Sequence, residues 1–81
     1  MAKPSPSHAG SPALVEIGKA VRKRRLRIDL SQEGLALVAN IDRSYAGGIE
    51  RGEHNFTVIS LIKLADSLQM KPSELLRAAG L

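Results

Sequence analysis

The chain has no cysteine and no tryptophan, and only one tyrosine and one phenylalanine among its 81 residues. Without cysteine there is no disulfide framework and no thiolate chemistry, and cysteine usage says nothing about the redox compartment. So few aromatic side chains offer no platform for stacking successive bases, which argues against single-strand binding by that route. No apolar run approaches membrane-spanning length, and the N-terminus lacks an apolar signal region. A soluble, cytoplasmic protein is the default expectation. The histidines, His8 and His54, have no second His or Cys near them, so no metal site is expected. No carboxylates are paired in a way that suggests a cleft, so no catalytic constellation and no cofactor are expected either. What the chain does have is positive charge: 12 Lys and Arg against 8 Asp and Glu, a formal net charge of +4. The isoelectric point near 10.0 suits a polyanionic partner. A chain this short makes one domain with one modest core, which dimerisation would help.

The organising stretch is SQEGLALVANIDRSYAGGIERG, Ser31 to Gly52. Ser31 is a good N-cap for a helix whose apolar face is Leu35, Ala36, Val38 and Ala39. Asn40 tolerates the left-handed backbone that ends helices, and Ile41 can plug the corner. Asp42 caps a second helix from about Arg43 to Arg51, which Gly52 stops. That helix buries Ala46 and Ile49 and leaves Arg43, Ser44, Gly47 and Gly48 outside. Helix, short turn, helix is the helix-turn-helix pattern, whose second helix enters a DNA groove.

Around this stretch, Met1 to Ser11 is rich in Pro, Ser and Gly and reads as a disordered tail, with Ser11 at its end capping the next helix. Lys3 alone makes it a poor DNA arm. Residues 12–81 read as the DNA-binding domain. Pro12 opens a first helix that runs to about Ile28, with a stripe of Leu14, Ile17, Gly18, Val21, Arg25 and Ile28. Thr57 caps a fourth helix, about Val58 to Leu68, with Val58, Leu61, Ile62, Ala65 and Leu68 inward and Leu64 beside the stripe. Pro72 opens a fifth, with Leu75, Leu76 and Ala79 inward and Gly80 at its end. The expected class is all-α with five helices. Leu64, Leu75, Leu76 and Leu81 exceed what a small core needs, and the surplus suggests a dimer interface. In the cluster Arg22 to Arg27, a solvated helix face accounts for Lys23 and Arg24, while Arg27 stays open between that and a DNA-facing role.

Two charges stand in apolar stripes. Arg25 lies four residues after Val21 and three before Ile28, and Glu50 lies four after Ala46. A buried guanidinium needs a carboxylate. The two are expected to pair and pin the second helix of the motif to the first helix of the chain. The competing reading leaves both charges exposed.

The motif with its spacings resembles the Xre/Cro-type, phage-repressor-like helix-turn-helix family. The pattern S-Q-x-x-L-A, a turn ending in Ile, an R-S-Y start and I-E-x-G hold together here, and the resemblance covers about Ala13 to Leu76. Within that family, DRSYAGGIERGEHN is most similar to the controller proteins of restriction–modification systems. The resemblance implies that Arg43 and Ser44 read base edges, with Tyr45 near the DNA backbone and Gly47 and Gly48 at outward positions that often carry base-reading side chains. It implies phosphate contacts for Gln32, Arg51, Asn55 and Thr57, and a structural ion pair between Arg25 and Glu50. The adjacent glycines depart from the family pattern. Either they let the helix backbone approach the groove floor, or they only weaken the helix. The implied function is a sequence-specific regulator of double-stranded DNA, expected as a homodimer on a palindromic operator. The alternative is an antitoxin-like module whose helices mainly bind a partner protein.

Overall fold

The computed structural model describes residues 9–81, and among them the chain forms five helices and no strand. The first, α1 (Pro12–Arg27), starts on Ser11, whose hydroxyl accepts from the Leu14 amide at 3.4 Å. Proline follows the cap, where its missing N–H is no loss. The remainder of the expected tail, residues 1–8, lies outside the described residues. Gly10, also assigned to that tail, is engaged: its N–H donates to the Gly52 carbonyl at 2.8 Å.

Helices α2 (Gln32–Ala39) and α3 (Arg43–Glu50) are joined by Asn40, Ile41 and Asp42. Ser31 caps α2 through the Gly34 amide at 2.8 Å, and Asn40 ends it at φ 55°, ψ 49°. This left-handed residue lets the Ile41 amide bond back to the Ala36 carbonyl at 2.9 Å, closing the turn. Ile41 packs half-buried against the core. Thr57 caps α4 (Val58–Ser67) at the Ser60 amide. In α5 (Pro72–Ala78), Glu74 reaches back to accept from the Lys71 amide at 2.7 Å.

The core comprises Ile17, Ala20 and Val21 of α1, Leu35, Ile49, Leu64, Ala65 and Leu75, with Leu68 at the end of α4. Helix α1 packs on α3 and α5, α2 packs on α3 and α4, and α4 packs on α5. Helix α1 lies close against α3 at Gly18. A Cβ on Gly18 would stand 2.5 Å from the carbonyl oxygens of Ile49 and Glu50, so only glycine allows α3 to lie this near. Gly52, at φ +77°, turns the chain away from α3 directly against the backbone of Val15.

Three expectations about faces are corrected. Val58 and Ile62, expected inward on α4, are 69% and 44% exposed, and Leu64, expected beside the stripe, is fully in the core. Helix α4 is rolled so that Leu64, Ala65 and Leu68 meet α2 and α5 together, leaving Val58, Ile59 and Ile62 outside. Leu64 and Leu75 are therefore core residues and no surplus, whereas Leu81 is exposed, and Val58, Ile59 and Ile62 add exposed apolar surface on α4. On α2, Val38 is exposed and only Leu35, Ala36 and Ala39 are buried. Arg24 is not a solvated face: its Nε donates to the Leu68 carbonyl at 2.9 Å and its Nη2 to the Gln69 carbonyl at 3.1 Å. It thereby satisfies carbonyls at the end of α4 that have no partner within the helix.

Candidate nucleic-acid interface

Eight residues make a helix too short to stand alone, so α3 owes its position to its surroundings. Asp42 caps it, with Oδ2 accepting from the Ser44 amide at 3.1 Å and from the Ser44 hydroxyl. The Ser44 hydroxyl bond is the main reason that the Asp42 carboxyl lies below the ordinary carboxylate range. At the other end, Glu50 holds α3 to α1. Arg25 Nε lies 2.6 Å from Glu50 Oε2, and Arg25 Nη2 lies 3.1 Å from Oε1. The side chains are 9% and 4% exposed. Arg25 Nη1 donates to the Leu30 carbonyl at 3.0 Å, and Gln32 Nε2 adds a third bond to Glu50 at 3.2 Å. The fork is bidentate and its other donor is satisfied, which a buried pair requires. The hydrogen bond that Arg25 donates to Glu50 holds its guanidinium charged even more firmly than usual.

With its back fixed, α3 turns its first residues outward beside the start of α2. Gln32, Arg43, Ser44, Gly47 and Arg51 line one open hollow of about 260 Å³. Five of the residues singled out in the sequence thus meet in one place. Arg43 is exposed at the helix tip. Gln32 divides its amide: the nitrogen braces Glu50, while the oxygen sits 3.2 Å from where a Gly47 Cβ would be. Arg51 is exposed but engaged, its Nε 2.8 Å from Glu53 Oε2 and its Nη2 3.2 Å from Oε1. That hydrogen-bonded pairing lowers the Glu53 carboxyl and raises the Arg51 guanidinium from their ordinary values.

The remaining nominated residues fall elsewhere. Asn55 is exposed in the loop after α3. Thr57 is exposed, with its hydroxyl engaged in capping α4. Tyr45 is half-buried and packs on the core. The glycines are corrected: both Gly47 and Gly48 are buried, not outside. Gly47 forms the floor of the hollow beneath Arg51 and Gln32. Gly48 faces into the molecule, where a Cβ would stand 2.3 Å from His54 Nε2.

The sequence gives His54 no role beyond the exclusion of a metal site. His54 is 4% exposed and lies on Tyr45 with ring centroids 4.5 Å apart. The one hint in the sequence is a glycine inside a helix six residues upstream, which has no meaning until the loop is folded. Glu53 likewise carries no signal in the sequence, though it holds Arg51. Among the described residues no group of three or more His, Asp or Glu side chains is placed to hold a metal ion.

Chemically, the hollow presents guanidinium groups, an amide and a hydroxyl above the backbone of Gly47. A guanidinium at a helix tip can fork onto the two acceptors of a guanine in the major groove. The capped start of α2 offers amide N–H groups to a phosphate.

Comparison with known proteins bears on this geometry. The family described as HTH_3, Helix-turn-helix, matches residues 21–75. Control protein C.SmaI of Serratia marcescens is 40% identical over 65 residues, covering 80% of this chain and 77% of that protein. The crystal structure of the restriction–modification controller protein C.AhdI from Aeromonas hydrophila is similar with a TM-score of 0.74 and 45% identity, over 76% of this chain and 94% of that one. A further similar structure, C.Esp1396I, was determined as a nucleoprotein complex; it has a TM-score of 0.74 and 33% identity, over 85% of this chain and 94% of that one.

Proposed function

The chain belongs to the helix-turn-helix family of DNA-binding transcriptional regulators, and from that premise we propose that it binds a palindromic operator as a homodimer, with α3 in the major groove. It is a regulator and not an enzyme. The observation that carries the proposal is the hollow lined by Gln32, Arg43, Ser44, Gly47 and Arg51 on the outer side of a helix fixed from behind by Arg25 and Glu50.

In this reading Arg43 reads a guanine, with Ser44 and Tyr45 beside it, and Gly47 lets the helix backbone approach the base edges. Gln32, Arg51 and Asn55 hold phosphates and set register without reading sequence. Since the Thr57 hydroxyl caps α4, a phosphate there would meet the first-turn amides of that helix. One short helix touches few bases, which favours two copies with half-sites one helical turn, ~34 Å, apart. The exposed Val58, Ile59 and Ile62 on α4 give a second copy apolar surface to cover. No described helix is long and apolar enough to cross a membrane, and such a regulator acts in the cytoplasm, where its duplex is.

The test is selection of random duplexes by the purified protein, followed by sequencing. A palindrome in the enriched pool is the expected result. A pool no different from the input would overturn the proposal, and an enriched asymmetric half-site would overturn the dimer alone.

A further inference from the structure

His54 has no part in the ion pair and lies outside the hollow, yet it is the most unusual buried side chain near α3. Its Nε2 is buried and meets no hydrogen-bond partner. Stranding a polar atom is unfavourable, so filling space does not by itself explain an imidazole; an apolar side chain would fill it better. What the imidazole supplies is a flat, small ring. It lies on Tyr45 with 4.5 Å between centroids and 32° between planes. Its edge rests on the bare backbone of Gly48, in a slot that a Cβ would close to 2.3 Å. The Glu53 amide, donating to the Gly48 carbonyl at 2.9 Å, ties the loop to α3 at the same level. The ring thus sits against two residues of α3 at once, the backbone of Gly48 and the ring of Tyr45.

We propose that His54 is a positioning residue for recognition: seated on Gly48, it sets the angle at which Tyr45 is presented to the duplex. This rests on the reading of α3 as the recognition helix. It gives Gly48 a purpose distinct from that of Gly47, because Gly48 is bare to seat a ring inside the molecule while Gly47 is bare on the side of the duplex. The contribution of Tyr45 to site discrimination then depends on His54, although His54 itself touches no nucleotide.

The experiment is a double-mutant cycle on full-length protein, with affinity measured for the selected duplex and for scrambled duplexes at one salt concentration. His54→Ala is expected to lower the preference for the selected duplex about fivefold when Tyr45 is present, as loss of an aromatic pair would. In a Tyr45→Ala background the same change is expected to cost less than about twofold. His54→Asn, which keeps a flat polar group, carries the comparison if the Ala variant does not fold. In the free protein, the NMR cross-relaxation contacts of the Tyr45 ring with Ile49 and Leu64, which line the same pocket, are expected to change on removal of the imidazole while the Val21 and Leu68 methyl resonances stay in place. Equal losses in both Tyr45 backgrounds, or unchanged Tyr45 contacts, would overturn the proposal. If wild-type protein shows no preference among duplexes, the proposed function fails, and the Tyr45 contacts still decide the positioning claim.

Discussion

Glu50 accepts three hydrogen bonds from two side chains, two from Arg25 and one from Gln32. Its carboxylate is so well enclosed that removing Arg25 would leave a buried charge with only an amide to answer it. Arg25→Ala is therefore expected to cost about 3–5 kcal/mol. For a domain this small, that lowers the melting temperature by at least ~12 °C. A melt within a few degrees of wild type would show that the pair contributes little. The adjacent glycines make a sharper contrast. A Cβ on Gly47 meets Arg51 Nη1 at 3.0 Å and Gln32 Oε1 at 3.2 Å, the far ends of two flexible side chains, so a shift of a few tenths of an ångström accommodates it. A Cβ on Gly48 meets His54 Nε2 at 2.3 Å, and that ring is enclosed. Gly47→Ala is expected to raise stability by up to about 1 kcal/mol through helix propensity. Gly48→Ala is expected to lower it, and thermal melts of the two variants in opposite directions are the check.

At the scale of the element, α3 depends on what bounds it. Its cap is a carboxylate whose ionised form is favoured in the folded chain, chiefly by the Ser44 hydroxyl. A lowered folded value gives stability that is complete above the ordinary aspartate range, near ~3.9. That contribution is lost as pH falls through the lower, folded value. A carbon-detected titration of the Asp42 carboxyl is expected to give a midpoint below that of an unfolded peptide; an equal midpoint would mean the cap is not formed. Past its C-terminus the element is governed by Glu53, which occupies Arg51 in the free protein. Glu53→Gln spares Arg51 the loss of its partner when it takes up a phosphate, and affinity for every duplex is expected to rise alike. Arg51→Ala is expected to weaken every duplex and make the salt slope shallower by about one, as the loss of one phosphate contact requires. An unchanged slope in Arg51→Ala would place Arg51 away from the phosphates. The apolar face of α4 marks where an element cannot be understood by itself. Which side of α4 is buried is decided by α2 and α5 together, so a periodicity that fits Val58 and Ile62 loses to one that fits Leu64.

For the whole molecule, that distinction separates what the sequence discloses from what it does not. Helix ends are legible because their signals are local: Ser11, Ser31, Asp42 and Thr57 each accept from an amide two or three residues on. The Arg25–Glu50 pair is legible because a charge inside each of two apolar stripes has few other solutions. The hollow can be foreseen in part, since Gln32, Arg43, Ser44 and Gly47 all lie within one motif. The reach of Arg24 to carbonyls 44 and 45 residues away leaves no local signal, and neither does the seat of His54 on Gly48. A modest core thus serves mainly to hold one short helix outward, and a net charge of +4 draws the molecule to a polyanion without telling it where to stop. Stopping at a site is the task assigned to Arg43. The most direct measurement compares wild type and Arg43→Ala on the selected duplex and on each of its single base-pair variants at physiological salt. The expected result is a loss of roughly 1–3 kcal/mol on the selected duplex, with discrimination abolished at one base pair of each half-site and kept at the others. Weakening by the same factor on every duplex would contradict the account, because Arg43 would then hold a phosphate and read nothing.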